Sequence, residues 1–563
     1  MASILTPTQI FKDVAVDSKP KTEDINITVE DGIIRQEFYI NGKSFDDGSV
    51  KIYTLLEKPM DAEELNAVIV VGELGEGVDT KLVRKLAKMG YLAVSIDLAG
   101  RMDDRELFTI YPQSIEYANL EKSNYKETSI NEDVLETCWF QWDCNLLYLF
   151  KHLKARSDVK KIAIIGIGEG AVPVWHVIGS TEKVSGAVIC LNAGWKGYRG
   201  HYKNLDNPEP NFTDGEVKYL AGIEPQTYAR HLKSPIYLLV ATNDDQREFD
   251  RAYDSLTRIE SKCYSCVNYS VGNRNAISYA DFKSAYLFLQ KSFEREGNKR
   301  IALAEEITCN LEEGEDFKFV VSAKTEELKE LSLYIASKAT KPSLRSFKKF
   351  NGGILDKPNK YSFTISKDAI DGDFVYFIKG VYQNDYRVCS LVYYRNGDNN
   401  KLESKQKVWF SAREDNSQTI FYPLQEQEEN SPKGVQVEKG ATVELAEGPR
   451  GMTGVTCKGG LLTFIINDKE KAPLNDAMLM IDAYVKGGGV LTVKLVSDYF
   501  GNRTEYMHNI TINGNFGWQN VKIQQKDFKT VEGMGLKDYG KIECMEIFVD
   551  GDKEYVVNNI LWV

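Results

Sequence analysis

The residues that could carry chemistry in this chain gather around one glycine-spaced stretch, Lys161–Val177 (KIAIIGIGEGAVPVWHV). The apolar run Ile162–Ile165 predicts a buried strand. Gly166, Gly168 and Gly170 predict a tight turn, and Val172, Val174, Trp175 and Val177 a helix that follows it. A strand that breaks sharply into a helix lifts one side chain above a sheet and places backbone amides beside it. That geometry suits a nucleophile next to an oxyanion. The residue at the top of this turn is Gly168, which has no side chain to offer.

Acyl transfer also needs an imidazole to take a proton and an acid to orient it. Ser234–Asp245 (SPIYLLVATNDD) reads as a strand ending in two carboxylates, Asp244 and Asp245. After the next strand comes the loop Gly272–Asn275 (GNRN), in which Arg274 could pair with Asp244. None of the five histidines falls in that loop. His152 and His176 lie on predicted helices, His201 in an irregular aromatic stretch, His231 before the acid strand and His508 far downstream. His201, flanked by Tyr198, Arg199 and Tyr202, could be a relocated base, although a histidine in such a loop more often packs or faces solvent. Glu73 and Glu76 sit in a glycine-rich loop after an earlier apolar strand, and Glu169 follows Gly168. Carboxylates there would repel a developing oxyanion. With Asp244 they could line a pocket for a cation or a basic group, or stand as solvated loop acids, the commoner state of loop carboxylates.

At 563 residues the chain exceeds what one hydrophobic core usually supports, so two to four domains are expected. A formal net charge of −12 argues against nucleic acid or an anionic membrane as partner. The N-terminus shows no basic segment followed by an apolar run, and no stretch approaches the length of a bilayer span, so a cytoplasmic location is the default expectation. Nine cysteines, odd in number and set in apolar contexts such as those of Cys190 and Cys389, predict reduced buried thiols. Cys263 and Cys266 form a C-x-x-C, but on a strand that spacing sends the thiols to opposite faces. No metal or cofactor is expected.

The elements that must position these residues follow in order. Ile25–Val29, Ile33–Ile40 and Val50–Leu56 predict antiparallel edge strands. Ala67–Gly77 (AVIVVGELGEG) and Tyr91–Arg101 predict buried strands joined by a helix, Leu82–Gly90. The polar, aromatic Asp103–Thr128 predicts an insertion near the mouth, and Val134–Leu153 a helix leading into the glycine turn. Ser185–Trp195 is a further buried strand, Lys196–Asp214 an aromatic excursion, and Tyr279–Glu296 a closing helix. Apolar strands alternating with helices imply right-handed crossovers and a parallel sheet. This order resembles the α/β-hydrolase superfamily, in particular the dienelactone hydrolase and acetyl xylan esterase type, over about residues 20–296. The resemblance implies a serine at the position of Gly168, the acid at Asp244 and a histidine at the position of Asn273. With serine and histidine both replaced, it implies a hydrolase scaffold with a degenerate triad.

From Asn298 short alternating strands take over, with turn signals between them, as in small β-sandwiches. The expected division is 1–297, an α/β-hydrolase-like sheet covered by helices; 298–400, an immunoglobulin-like β-sandwich; 401–433, a linker with strands KVWFSA and TIFYPL of uncertain allegiance; and 434–563, a second sandwich. In the last, Gly517–Lys529 (GWQNVKIQQKDFK) and the closing YVVNNILWV resemble jelly-roll carbohydrate-binding modules of the galactose-binding-like type. The resemblance makes Trp518, Phe528 and Trp562 core residues. Tyr499, Phe500, Tyr506 and Phe516, near expected loop ends, could stack on sugar rings or pack against neighbouring strands. Two functional expectations follow. One is a non-catalytic scaffold acting through contacts, as a homo-oligomer or filament or with protein partners. The other is a carbohydrate-binding protein or an esterase of weak or altered activity.

Overall fold

The computed structural model describes residues 4–12, 14, 19–102, 105–192, 194, 196, 212–244, 249–259, 265–274, 276–294, 306–338, 342–370, 372–395, 407–412, 418–424, 441–468, 471–499, 502–514, 517–551 and 553–563. The first module is built on nine strands: β1 (Thr22–Glu30), β2 (Ile33–Phe45), β3 (Gly48–Pro59), β4 (Leu65–Val71), β5 (Leu92–Ile96), β6 (Val159–Ile167), β7 (Ala187–Cys190), β8 (Ile236–Ala241) and β9 (Ser265–Ser270). They lie in the order β1-β2-β3-β5-β4-β6-β7-β8-β9. β1 to β3 form an antiparallel meander that joins β5 antiparallel, and from β5 to β9 each neighbouring pair is parallel.

The helices are α1 (Pro7–Ile10), α2 (Thr80–Lys88), α3 (Cys138–Lys154), α4 (Ala171–Ser180), α5 (Asp214–Gly222), α6 (Pro225–Ala229), α7 (Phe249–Thr257) and α8 (Tyr279–Glu294). α3 and α4 pack on one face of the sheet, where Trp142, Phe150 and Trp175 are buried with Phe38, Ile69 and Ile164. α2 and α8 cover the other face through Leu82, Leu86, Phe288 and Leu289. Both faces are therefore dry, which explains why β4, β6 and β8 read as continuous apolar runs. α3 starts where Thr137 Oγ1 accepts the amide of Phe140 at 3.3 Å, an N-cap that fixes how the insertion enters the helix.

The second module contains β10 (Thr308–Glu313), β11 (Phe317–Ser322), β12 (Leu328–Ser337), β13 (Lys348–Asn351), β14 (Ile354–Lys357), β15 (Lys360–Ile365), β16 (Phe374–Tyr382), β17 (Arg387–Cys389) and β18 (Tyr393–Arg395). It is two-layered, as the alternating pattern predicts, but one layer is not its own. β17 pairs antiparallel with β9, Cys389 opposite Val267. The hydrolase sheet thus continues as β9-β17-β16-β12-β13, with β18 on β16, into a sheet of fourteen strands. The second layer is β10-β11-β15-β14. One apolar cluster runs from α2 and α8 into Phe319, Leu333 and Ile378 of the sandwich. The two modules thus share a sheet: β9 is the last parallel strand, and β17 pairs with its outer edge.

The third module packs two antiparallel sheets over a core that includes Trp409, Phe410, Val493, Ile547 and Trp562. Lys407–Phe410 pairs with Tyr555–Trp562, and Tyr422–Pro423 with Leu461–Thr463, so these pieces of the expected linker are strands of this sandwich. Gln425–Gly434 lies outside the described residues. Trp562 and Phe528 are fully buried, and Trp518 is buried against Met452 and Val556. Among the described residues no helix is long and apolar enough to cross a membrane. The eight described cysteines are buried, and burial pushes the Cys266 thiol up to about 12. Its partner in the C-x-x-C, Cys263, lies outside the described residues.

Candidate functional site

β6 runs into a single turn of helix, Gly168–Gly170, and then into α4. The turn is tight enough to demand glycine. A Cβ on Gly166 would lie 2.8 Å from Ala171 Cα, and one on Gly170 would strike the carbonyl oxygen of Gly72. Gly168 itself has φ +55°, a left-handed conformation. Above it lies the side chain of Glu73, delivered by the loop that follows β4. Glu73 Oε1 accepts the amide of Glu169 at 3.1 Å. A Cβ on Gly168 would overlap this carboxylate, with Glu73 Cδ only 2.6 Å away. The volume of a nucleophile and the amide that would hold an oxyanion are both taken by the chain's own acid.

The residues around this acid contact one another. Asn192, fully buried just past the end of β7, donates its Nδ2 to Gly168 O at 2.9 Å, while its Oδ1 has no hydrogen-bond partner among the described residues. Lys196 Nζ lies 3.4 Å from Glu169 Oε1, 3.1 Å from the carbonyl of Tyr125 and 5.5 Å from the centre of the Tyr125 ring. Burial first, and then the carboxylates of Glu169, Glu73 and Glu447, push the Tyr125 phenol up to about 12. Glu447 belongs to the third module and ion-pairs with Lys126 at 3.6 Å. Tyr125 therefore stands between the glycine turn and the third module.

The positions expected for acid and base, Asp244 and Asn273, lie on two adjoining loops. The two loops bind each other: Gly272 N donates to Thr242 Oγ1 at 2.8 Å and Asn243 N to Asn273 O at 3.2 Å. Asn273 turns its amide back onto Ser270 Oγ at 2.9 Å. Asn243 Nδ2 donates to the carbonyls of Ser343 (3.1 Å) and Arg345 (2.7 Å) in the second module. Arg274 is buried; its Nη1 donates to Ser343 O at 2.8 Å, and its Nε is 2.5 Å from Asp482 Oδ2 in the third module. Asp482, fully buried, also accepts from Asn520 (2.9 Å) and Asn559 (2.8 Å). The expected lining residue Arg274 is thus a joint where three modules meet.

Of the four acids Glu73, Glu76, Glu169 and Asp244, two come together. Glu73 and Glu169 meet, Glu76 is exposed, and Asp244 is buried at the end of β8. Among the described residues no group of three or more His, Cys, Asp and Glu could hold a metal ion. His176 is locked in the core, with Nδ1 2.9 Å from Asp143 and Nε2 2.7 Å from the carbonyl of Ile223. His152 lies on α3 beside Phe38, and burial lowers its pKa to about 4. His201 lies outside the described residues. So do Phe500 and Phe516 of the proposed stacking set. Tyr499 packs edge-on against Phe464 at 5.3 Å and beneath Arg503, and Tyr506 leans half-buried on the third core. The sequence reading missed Tyr125, Asn192, Lys196, Arg345 and Asp482. Of these, Asn192 carried a signal: it ends a parallel strand, where sites in such sheets gather.

A parallel sheet covered by helices on both faces, with a strand–turn–helix elbow at the carboxyl end of a central strand, defines the α/β-hydrolase class for the N-terminal part of the chain. Within it, residues 52–265 match the Dienelactone hydrolase family. Among solved structures, the chain is similar to an acetyl xylan esterase from Paenibacillus sp. R4, at 12% identity over 50% of this chain and 91% of that one, TM-score 0.39. It is similar to acetyl xylan esterase 1 from Thermoanaerobacterium sp. JW/SL YS485 at 13% identity, over 50% and 89% of the two chains, TM-score 0.36. Est1E from Butyrivibrio proteoclasticus, bound to ferulic acid, is similar at 11% identity over 45% and 100%, TM-score 0.32. No curated protein matches the chain.

Proposed function

We propose that this chain is a non-catalytic, hydrolase-derived scaffold that works through contacts with copies of itself or with protein partners. The observation that carries the reading is Glu73. Its carboxylate fills the space of a nucleophile and engages the amide that a tetrahedral intermediate would need. A substrate carbonyl would have to displace a charge-assisted hydrogen bond and would then meet a glycine. The loops that would hold acid and base are spent on joining three modules. A retained fold whose site is given over to internal contacts supports a role for the surface. The test pairs two measurements on the untagged chain: turnover of p-nitrophenyl acetate, and particle size with affinity capture. The expected result is turnover no faster than that of heat-denatured protein, together with a multimer or a bound protein. Ester turnover by a strict monomer without partners would overturn the reading.

A second reading, carbohydrate binding by the third module, is favoured by one feature. A cleft of about 720 Å³ opens there, with the half-buried Tyr484 and the edge of Phe548 among Glu444, Glu447, Asp550 and Lys553. An aromatic face among planar polar groups is the chemistry that holds a sugar ring. Calorimetric titration with soluble xylan and galactan oligosaccharides tests it, and flat titrations remove it.

A further inference from the structure

A cleft of about 210 Å³ opens beside the start of α3, lined by the insertion that follows β5, the first residues of α3 and Tyr219 of α5. Its buried lining is aromatic: Trp139 and Tyr219 are each 3% exposed, and Tyr117 is half-buried. Glu127, Glu132 and Glu136 line it as exposed residues, and none of these three carboxylates has a hydrogen bond or an ion pair among the described residues. Two lysines lie beside them and are committed elsewhere. Lys122 pairs with Glu116, and Lys218 Nζ donates to the carbonyls of Asn131 at 3.2 Å and Glu132 at 3.0 Å. Asp133, a fourth acid of the cleft, accepts the amide of Leu135 at 3.0 Å. Four carboxylates therefore stand against the ammonium of Lys218 and about half a positive charge at the N-terminus of α3. Tyr117 registers this excess: burial raises its phenol first, the bond from Gln141 at 3.3 Å lowers it, and the charge of Glu136 raises it again.

Trp139 adds a second polar feature. Its ring packs edge-on against Trp142 at 4.9 Å and Tyr125 at 6.4 Å, and its indole N–H has no hydrogen-bond partner among the described residues. A nearly buried indole N–H that opens on a cleft calls for an acceptor from there. Unpaired carboxylates above aromatic residues select a cation on an apolar stem. A lysine or arginine within a peptide chain has all three parts: the cation, the methylenes and a neighbouring carbonyl. The volume sets the scale, since pockets that enclose a whole small molecule run to roughly 300–1,000 Å³ and this one has room for a single side chain. We propose that the cleft receives a lysine or arginine side chain of a partner protein, its cation among Glu127, Glu132 and Glu136, its methylenes on Tyr117 and Tyr219, and a main-chain carbonyl of the partner on Trp139 Nε1. The proposal rests on the scaffold reading and deepens it by giving the partner a chemistry, an exposed basic segment. The chain's net charge of −12 favours the approach of such a segment.

The test uses the full chain labelled with 5-fluorotryptophan, which places one fluorine on each of seven tryptophans; the resonance lost in Trp139→Phe is that of Trp139. The probes are acetyl-arginine amide and acetyl-lysine amide, with acetyl-norleucine amide as the stem without charge and putrescine as the charge without a carbonyl. Both basic amides are expected to shift the Trp139 resonance with saturation in the millimolar range, and more weakly as salt is raised. Acetyl-norleucine amide should bind at least about tenfold more weakly, and E132Q/E136Q should weaken the basic amides by about tenfold. Both glutamates are exposed, and an unchanged melting temperature verifies that the variant folds. No saturable shift, an equal shift with the norleucine amide, or binding undiminished in E132Q/E136Q would refute the site. Putrescine binding as tightly as the basic amides would refute a protein as the source of the cation and make a free amine the ligand. All of these failures leave the scaffold reading itself to turnover and particle size, so the two are refuted separately.

Discussion

Giving the elbow a side chain is the sharpest test of the Glu73 geometry. In Gly168→Ala the new Cβ must hold φ near +55°, which costs about 1 kcal/mol for a non-glycine residue. It must also displace the Glu73 carboxylate, breaking the bond to the Glu169 amide, worth about 1.5–3 kcal/mol for a charged acceptor. The sum is about 2.5–4 kcal/mol. Glu73→Ala alone forfeits the same bond, about 2 kcal/mol. Once Glu73 is truncated the clash is gone, and Gly168→Ala then costs only the backbone strain. The double variant should lose about 3 kcal/mol, against about 4.5–6 kcal/mol by simple addition, a coupling of about 1.5–3 kcal/mol. In a module of this size each kcal/mol moves the melting temperature by about 2–4 °C. Scanning calorimetry on the four chains should therefore show the double variant melting close to Gly168→Ala alone. Additive losses, within about 0.5 kcal/mol, would refute the claim that Glu73 occupies the nucleophile's space. Gly168→Ser with Glu73→Ala should remain without esterase turnover, since Asn273 offers no base.

Asp482→Ala should lower stability by about 3–5 kcal/mol and open the joint to limited proteolysis, because it strands the Arg274 guanidinium among buried groups. Arg274→Met with Asp482→Leu should recover most of that loss, and no difference between the single and double variants would count against the joint. His152 has a folded pKa of about 4 against about 6.5 unfolded, so the folded state resists its protonation. The stability linked to it is complete above about pH 6.5 and is lost as pH falls toward 4, a slope that His152→Leu should abolish in urea melts across that window. Asp158 is held down at about 2: burial opposes its charge, but Arg156 and Lys58 outweigh that. Its contribution is lost only below about pH 3.8, and Asp158→Asn should flatten the melts there and nowhere above. Native protein should react with a thiol reagent at the described cysteines only after unfolding, because their thiols are buried.

What the sequence made legible was local. Gly166, Gly168 and Gly170 specify the elbow because α4, Glu73 and Gly72 in turn exclude a Cβ there, and that constraint is written in three alternate positions. The apolar runs of β4, β6 and β8 announce a sheet dry on both faces. What stayed hidden depends on partners far apart in the chain. Nothing in Arg387–Cys389 says that it will pair with β9 instead of closing a separate sandwich, because three apolar-alternating residues fit either edge. Asp482 sits in an ordinary strand pattern, and its role exists only once Arg274 arrives from another module. Glu73 was visible as an acid in a glycine loop, but its aim at Gly168 is set by the loop's path after β4.

The shared sheet also sets a timetable for biosynthesis. β9 leaves the ribosome about 120 residues before β17, an interval of about 6–24 s at 5–20 residues per second. During that interval the first module is a half-finished sheet with an unpaired, apolar outer strand, at the stage when such edges recruit wrong partners. A protein shortened after α8 would stay in that state permanently. Truncation after α8 should therefore leave less protein in the soluble fraction than truncation after β18, and equal soluble yields of the two would refute the role of β17 as a cover for β9.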